Sequence, residues 1–133
     1  MLNGEEERVV DIRPHEKGER FEELPMDKFA EHTRAFVKVE DGCNRRCAYC
    51  VIPRARGPVR SRDEASVLEE LRRLADAGYK EVVLTAISLP SYGTDSGTSL
   101  VELIEKAAEV PGIERIRLGS LDPDMLHDDD IRR

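Results

Sequence analysis

Ser61-Arg-Asp-Glu-Ala-Ser-Val-Leu-Glu-Glu-Leu-Arg-Arg-Leu-Ala-Asp-Ala-Gly78, followed at once by Tyr79-Lys-Glu-Val-Val-Leu-Thr-Ala-Ile87, decides how this chain is built. Ser61 and Glu64 have the spacing of a capping box, in which a hydroxyl and a carboxylate each satisfy an orphan amide at a helix start. Val67, Leu68, Leu71, Leu74 and Ala75 then recur on one helical face, and Gly78 is placed to stop the helix. Val82–Ile87 is a short run without alternation, the pattern of a strand buried on both faces.

The flanks repeat that plan. Upstream, Arg34-Ala-Phe-Val-Lys-Val39 alternates through Ala35, Val37 and Val39 and reads as a first strand. Downstream, a loop over Ser88–Gly97 leads to a second capping box, Ser99-Leu-Val-Glu102. Leu100, Leu103, Ile104 and Ala107 follow at helical spacing until Pro111-Gly112. Glu114-Arg-Ile-Arg-Leu-Gly119 reads as a third strand, with a helix expected to start near Asp122-Pro123. The order β-α-β-α-β predicts an α/β fold of parallel strands joined by right-handed crossovers. Such a sheet gathers its strand-to-helix loops at one end, where ligands bind. The loop after the first strand, residues 88–97 and residues 119–123 are therefore expected to converge.

Residues 1–33, interrupted by Asp11, Pro14, Gly18 and Pro25, read as a linker or N-terminal arm. Three parallel strands leave two open edges, and the last residues, Asp128-Asp-Asp-Ile-Arg-Arg133, read as the inside of a helix. The expectation is a piece of a larger barrel whose edges invite self-association.

Composition narrows the function classes. A hydrophobic content of 39% supports a core in a chain of 133 residues, with three Phe, three Tyr and no Trp. The net charge of −7 argues against a uniformly basic nucleic-acid coat or a polybasic membrane anchor. No apolar run approaches the roughly 20 residues of a membrane span. The opening Met1-Leu-Asn-Gly-Glu-Glu-Glu-Arg8 is too acidic for a targeting segment, so a soluble, cytoplasmic protein with no membrane partner is expected. The net charge hides an asymmetry. Residues 43–62 carry six arginines (Arg45, Arg46, Arg54, Arg56, Arg60 and Arg62) and no acid, so the remainder holds all 28 acidic residues. Charges within a Debye length sum at one place, which points to a local anionic partner; solvated surface arginines are the plainer alternative.

Cys43, Cys47 and Cys50 are the only cysteines. An odd number crowded into one loop is no disulfide framework and leaves metal or redox chemistry. Three thiolates suit an iron–sulfur cluster with one iron free of protein sulfur. A zinc site completed by His15, His32 or His127 is a second reading, and reactive metal-free thiols a third.

Cys43-x-x-x-Cys47-x-Tyr49-Cys50, placed just after a first strand, resembles the signature of radical S-adenosylmethionine enzymes. The longer string Asp41-Gly-Cys-Asn-Arg-Arg-Cys-Ala-Tyr-Cys-Val-Ile-Pro-Arg-Ala-Arg-Gly-Pro-Val-Arg-Ser-Arg62 resembles the methylthiotransferase branch of that superfamily. Leu84-Thr-Ala-Ile-Ser-Leu-Pro-Ser-Tyr-Gly93 and Arg117-Leu-Gly-Ser-Leu-Asp-Pro123 extend the resemblance, which runs over about residues 34–123. It implies a partial radical SAM (β/α) barrel, with residues 34–133 the first part of its core domain. Cys43, Cys47 and Cys50 would ligate a [4Fe–4S] cluster whose open iron takes S-adenosylmethionine for reductive cleavage to a 5′-deoxyadenosyl radical. Tyr49 would lie by the adenine, Ala86 and Ser88 near the methionine part, and Ser120 near the ribose. An external electron donor is implied.

The resemblance breaks in places. Ala86-Ile-Ser-Leu-Pro-Ser-Tyr-Gly93 stands where the family tends to have Gly-Ile-His-Leu-Ser-Ser-Tyr-Gly, and the methyl of Ala86 and the missing amide of Pro90 bear on cofactor contacts. The family's second three-cysteine domain, its RNA-binding domain and its complete six-stranded barrel have no counterpart in these residues. This piece alone is therefore expected not to complete methylthio transfer. Residues 49–62 and Ser91-Tyr-Gly93 most resemble the enzymes acting on N6-threonylcarbamoyladenosine at tRNA position 37. Relatives act on isopentenyladenosine in tRNA or on an aspartate of a ribosomal protein. Arg56, Arg60 and Arg62 are the candidate substrate contacts, against the alternative that they brace the loop through carbonyls. Tyr92 is read either as a packed turn residue or as a base-stacking ring. A zinc-stabilised RNA-binding module without chemistry is the competing class.

Overall fold

The computed structural model describes residues 13–23 and 34–133. Three strands, β1 (Ala35–Lys38), β4 (Glu81–Thr85) and β5 (Arg115–Leu118), form a parallel sheet in the order β1-β4-β5. Helix α2 (Glu64–Asp76) connects the first pair and α3 (Leu100–Ala108) the second, so the β-α-β-α-β order holds. Register places Ala35 beside Val82 and Val82 beside Ile116, then Val37 beside Leu84 and Leu84 beside Leu118. These residues pack with Val67, Leu71 and Leu74 of α2 and Leu100, Leu103 and Ala107 of α3 in one core. The central strand is covered as its apolar run implies, with Val82, Val83 and Leu84 all buried.

The helix ends are set by local chemistry. At the C-terminus of α2, the Gly78 amide donates to the Ala75 carbonyl (2.9 Å) and the Tyr79 amide to the Leu74 carbonyl (3.0 Å). This is a Schellman closure, and Gly78 has the left-handed φ of 92° that it requires. Helix α3 carries the full Ser99–Glu102 capping box.

The box at Ser61–Glu64 is not formed, which corrects the sequence reading. Ser61 belongs to a two-residue strand, β3 (Arg60–Ser61), and its amide and hydroxyl both donate to Asp95. Asp63 caps α2 instead, accepting from the Ser66 amide at 3.4 Å. β3 pairs antiparallel with β2 (Glu40–Asp41), a small hairpin base that the sequence reading did not contain. Near Asp122-Pro123 there is only a 3-10 turn (Pro123–Met125); the last helix, α4, spans Asp128–Arg132.

The arm reading of residues 1–33 lies partly outside the described residues, but residues 13–23 rest on the domain. Glu23 accepts from the Ser66 hydroxyl (2.8 Å), and Phe21 lies 5.4 Å beneath the Lys38 ammonium. Among the described residues no helix is long and apolar enough to cross a membrane. At the starts of the strands, Glu81 joins Arg115 (2.9 Å), Arg34 and Arg117 (both 3.6 Å) across the sheet. The opposite end, where the strands finish, carries the cysteines.

Candidate metal and cofactor site

Strand β1 ends, the chain crosses the hairpin base at Glu40–Asp41, and the cysteine loop begins at Gly42. Antiparallel pairing of Glu40 with Ser61 and Asp41 with Arg60 closes that loop at its root. Inside it the Cys43 amide donates to the Gly57 carbonyl (3.1 Å), the Cys50 amide to the Cys47 carbonyl (3.0 Å), and the Val59 amide to Asn44 Oδ1 (3.2 Å). A short helix, α1 (Ile52–Ala55), follows Cys50 with Pro53 in its first turn, where a missing amide hydrogen costs nothing.

The three loops converge as expected. Arg45 forms a two-armed ion pair with Asp122 and Asp124, tying the cysteine loop to the turn after β5. Ser88, after β4, donates its amide to Glu40 Oε2 at the loop root (2.9 Å). Its hydroxyl lies 2.9 Å from that of Ser91 and 3.9 Å from Met125 Sδ. Arg45 holds the Asp124 carboxyl below its usual range, and the two aspartates raise Arg45 in turn.

All three cysteines are free thiols, Cys47 exposed and Cys43 and Cys50 partly so. The Arg45 amide points at Cys43 Sγ (3.4 Å), a donor suited to a sulfur carrying negative charge. Among the described residues no three His, Cys, Asp or Glu side chains gather around a single ion position. His15 is engaged by Glu19 at 2.7 Å, His127 stands at the start of α4, and His32 lies outside the described residues. One zinc ion needs its ligands on one tetrahedron, whereas a cubane takes each thiolate on a different iron. Three separate free thiols on one exposed loop fit the cluster.

The remaining expected residues fall as follows. Tyr49 is 93% exposed beside the cysteines, Ser120 is exposed after β5, and Ala86 and Ser88 are half-buried after β4. Pro90 sits in the first turn of the Leu89–Ser91 3-10 helix, where its missing donor breaks no bond. The arginines divide between the two readings. Arg60 is buried, donating to the carbonyls of Arg56 (2.7 Å) and Pro58 (3.4 Å) and lying 3.7 Å from Asp41. Arg62 is buried against Glu70 and Ser66. Arg60 thus braces its own loop through carbonyls, and Arg62 ties the end of β3 to α2 through Ser66 and Glu70. Arg56 stays half-exposed, with Asp41 at 3.4 Å, and Arg46 and Arg54 are exposed as well. Tyr92 is a packed residue and not a stacking platform: it is buried, its hydroxyl donates to the Arg62 carbonyl (3.1 Å), and burial pushes its pKa up to about 12.

Glu40 and Asp41 went unread as site residues. Asp41 Oδ1 accepts the Gly42 amide (2.8 Å) and Oδ2 the Lys38 ammonium (2.6 Å). Burial pushes the Asp41 carboxyl up, but these contacts more than offset it and the group lies below its ordinary value. The only signal for Glu40 was a charged residue directly after an alternating strand.

The family model for the radical SAM superfamily matches residues 37–133. A protein of Helicobacter pylori (strain ATCC 700392 / 26695) named a putative methylthiotransferase is 42% identical over 104 residues, 78% of this chain and 25% of its own length. A threonylcarbamoyladenosine tRNA methylthiotransferase of Chlamydia pneumoniae is 45% identical over 82% of this chain and 26% of its own. A tRNA-2-methylthio-N(6)-dimethylallyladenosine synthase of Pelotomaculum thermopropionicum is 43% identical over 84% of this chain and 25% of its own. The chain thus spans about a quarter of the length of the curated relatives it matches. With the match covering the end of β1, the whole cysteine loop, β4 and β5, the chain belongs to the radical SAM superfamily.

Proposed function

We propose that this chain is the cluster-bearing part of a radical SAM tRNA methylthiotransferase, acting on N6-threonylcarbamoyladenosine at position 37 to give its 2-methylthio derivative. The observation that carries the reading is the set of three free thiols, Cys43, Cys47 and Cys50, on a loop closed at the ends of parallel strands. When bound, a [4Fe–4S] cluster with one iron free of protein sulfur supplies one-electron reductive cleavage of S-adenosylmethionine, with an external protein as electron donor. The chain's own residues bind and orient. The three cysteines hold the cluster, and the Arg45 clamp keeps their loop against the turn that carries Ser120. Tyr49, Ala86, Ser88 and Ser120 line the space for S-adenosylmethionine, and exposed Arg46, Arg54 and Arg56 give the RNA backbone a cationic edge.

The decisive experiment is anaerobic reconstitution with iron and sulfide, followed by electron paramagnetic resonance of the reduced sample. A [4Fe–4S]⁺ signal that shifts on adding S-adenosylmethionine, and that is lost in Cys47→Ala, is the expected result. Zinc uptake without iron would sink the reading and favour an RNA-binding module.

The substrate class has its own test. Binding of a single-stranded RNA should weaken with salt, and replacing Arg46, Arg54 and Arg56 by alanine should lower the log–log slope by about 2, since each single-strand phosphate contact contributes about 0.7. An unchanged slope would retire the basic edge. The dimethylallyladenosine enzyme matches this chain at 43% identity, so nucleoside choice is read by assaying both tRNA precursors with the full-length protein.

A further inference from the structure

Glu40 is a buried carboxyl at the strand ends that the proposed chemistry leaves without a task. It is fully buried at the hairpin base, paired in register with Ser61. Its Oε2 accepts the Ser88 amide at 2.9 Å, and the Ile87 amide also points to the carboxyl. Its Oε1 has no hydrogen-bond partner among the described residues. A buried carboxylate with one unsatisfied oxygen is expensive, a cost that the contacts Glu40 makes must offset.

The loop it holds supplies the reason. Beyond β4 the chain leaves the sheet, and Ile87 and Ser88 are the last residues before the 3-10 turn at Leu89–Ser91. Pro90 in that turn offers no amide, and the Ser91 amide closes the turn on the Ser88 carbonyl (2.8 Å). The far part of this loop is tied to the root of the cysteine loop at Ser61, which donates to Asp95 and accepts the Gly93 amide, while its start, next to β4, is tied there through Glu40 and the backbone of residues 87–88. Ser88 stands within 4 Å of both Ser91 and Met125, so a shift of its backbone moves the contact between the β4 and β5 loops.

We propose that Glu40 is a positioning residue: its carboxyl clamps the backbone of Ile87 and Ser88 to the root of the cysteine loop and thereby sets the β4 edge of the cofactor space. The clamp itself stands on the free chain; its service to S-adenosylmethionine rests on the function proposed above. Neutral Glu40 fits the buried position better than the ion. Burial raises its pKa from 4.5 to about 7, with Asp41 adding to the shift and the Ser88 and Ile87 amides and Lys38 opposing it. The other charged groups at the hairpin base face elsewhere: Arg60 lies by Asp41 and Arg62 by Glu70, while Tyr92 of the β4 loop donates to the Arg62 carbonyl. In a clamped state that binds its proton up to about pH 7 and an open state that loses it near 4.5, opening becomes easier as pH rises between those values and levels off above 7.

Amide hydrogen exchange on the apo chain reads this directly. Protection factors of Ile87 and Ser88, corrected for intrinsic exchange, should fall about tenfold or more from pH 5 to pH 8. Glu40→Gln, which keeps the acceptor but cannot ionise, should hold protection constant across that range. Glu40→Ala should lose it at every pH; if that variant does not fold, Glu40→Gln alone decides. Equal pH profiles for the parent and Glu40→Gln would overturn the clamp. With exchange as expected, an S-adenosylmethionine affinity of the reconstituted protein that follows the same pH profile completes the positioning role. An affinity indifferent to pH would remove that role while leaving the clamp in place.

Discussion

Replacing Arg62 by methionine should destabilise the chain by about 3–5 kcal/mol, whereas replacing Arg62 and Glu70 together by methionine and leucine should recover most of that loss. Arg62 and Glu70 are each about 5% exposed as side chains and form a direct ion pair between the end of β3 and the inner face of α2. The Arg62 guanidinium also donates to Ser66 Oγ from Nε (3.1 Å) and Nη2 (2.9 Å), and its own carbonyl receives the Tyr92 hydroxyl. Removing the cation alone strands the Glu70 carboxylate beside Val67, Leu71 and Leu74, with water excluded. Removing both charges leaves two unbranched or γ-branched chains of similar length in an apolar setting, which buried pairs tolerate well. Urea unfolding of the single and double variants measures the contrast. A single variant within about 1 kcal/mol of the parent would show that the pair is hydrated and that Arg62 is free to meet a ligand after all.

The arginines show where the sequence was legible and where it stopped. Six positive charges without an acid marked the cysteine loop as unusual, and that much survives in the fold. Their division into three anchors and three exposed cations depends on acids distant in the chain: Asp122 and Asp124 for Arg45, Asp41 for Arg60, Glu70 for Arg62. No local pattern encodes those meetings. The parallel core was legible because Val67, Leu71 and Leu74 repeat at helical spacing and Val82–Leu84 is an apolar run, signals each contained within a few residues. The β2–β3 hairpin base was not, since each strand has two residues and all four are polar or charged. That invisible hairpin misled the helix cap as well. Ser61 has the right residue type at the right spacing, but strand pairing and Asp95 claim it, and the cap moves to Asp63. It also buries Glu40, which alternation from Val39 would have turned outward.

The same hairpin makes Gly42 the backbone position on which the cysteine loop depends, and Gly42→Ala should cost about 3 kcal/mol or more. Gly42 has φ 86°, a left-handed conformation that costs an L-residue about 1–2 kcal/mol. Space is the larger obstacle. A methyl there would stand 2.0 Å from the Pro58 oxygen, 2.6 Å from the Pro58 carbonyl carbon and 2.9 Å from the Gly57 oxygen, all backbone atoms with no rotamer to escape into. Relief requires the two arms of the loop to part, which breaks the bond from the Cys43 amide to the Gly57 carbonyl and carries Cys43 away from its place. Gly78 is the control. Its φ is 92°, yet nothing lies within 4 Å of the added methyl, so Gly78→Ala should show the conformational cost alone, about 1–2 kcal/mol. Thermal unfolding separates the two contributions, and iron bound per chain after reconstitution reports the loop itself. The expected outcome is a lower melting temperature for both variants, the larger drop and the loss of iron belonging to Gly42→Ala. Equal melting temperatures with full iron in both would mean that Pro58 yields freely and that the loop root is not what holds Cys43.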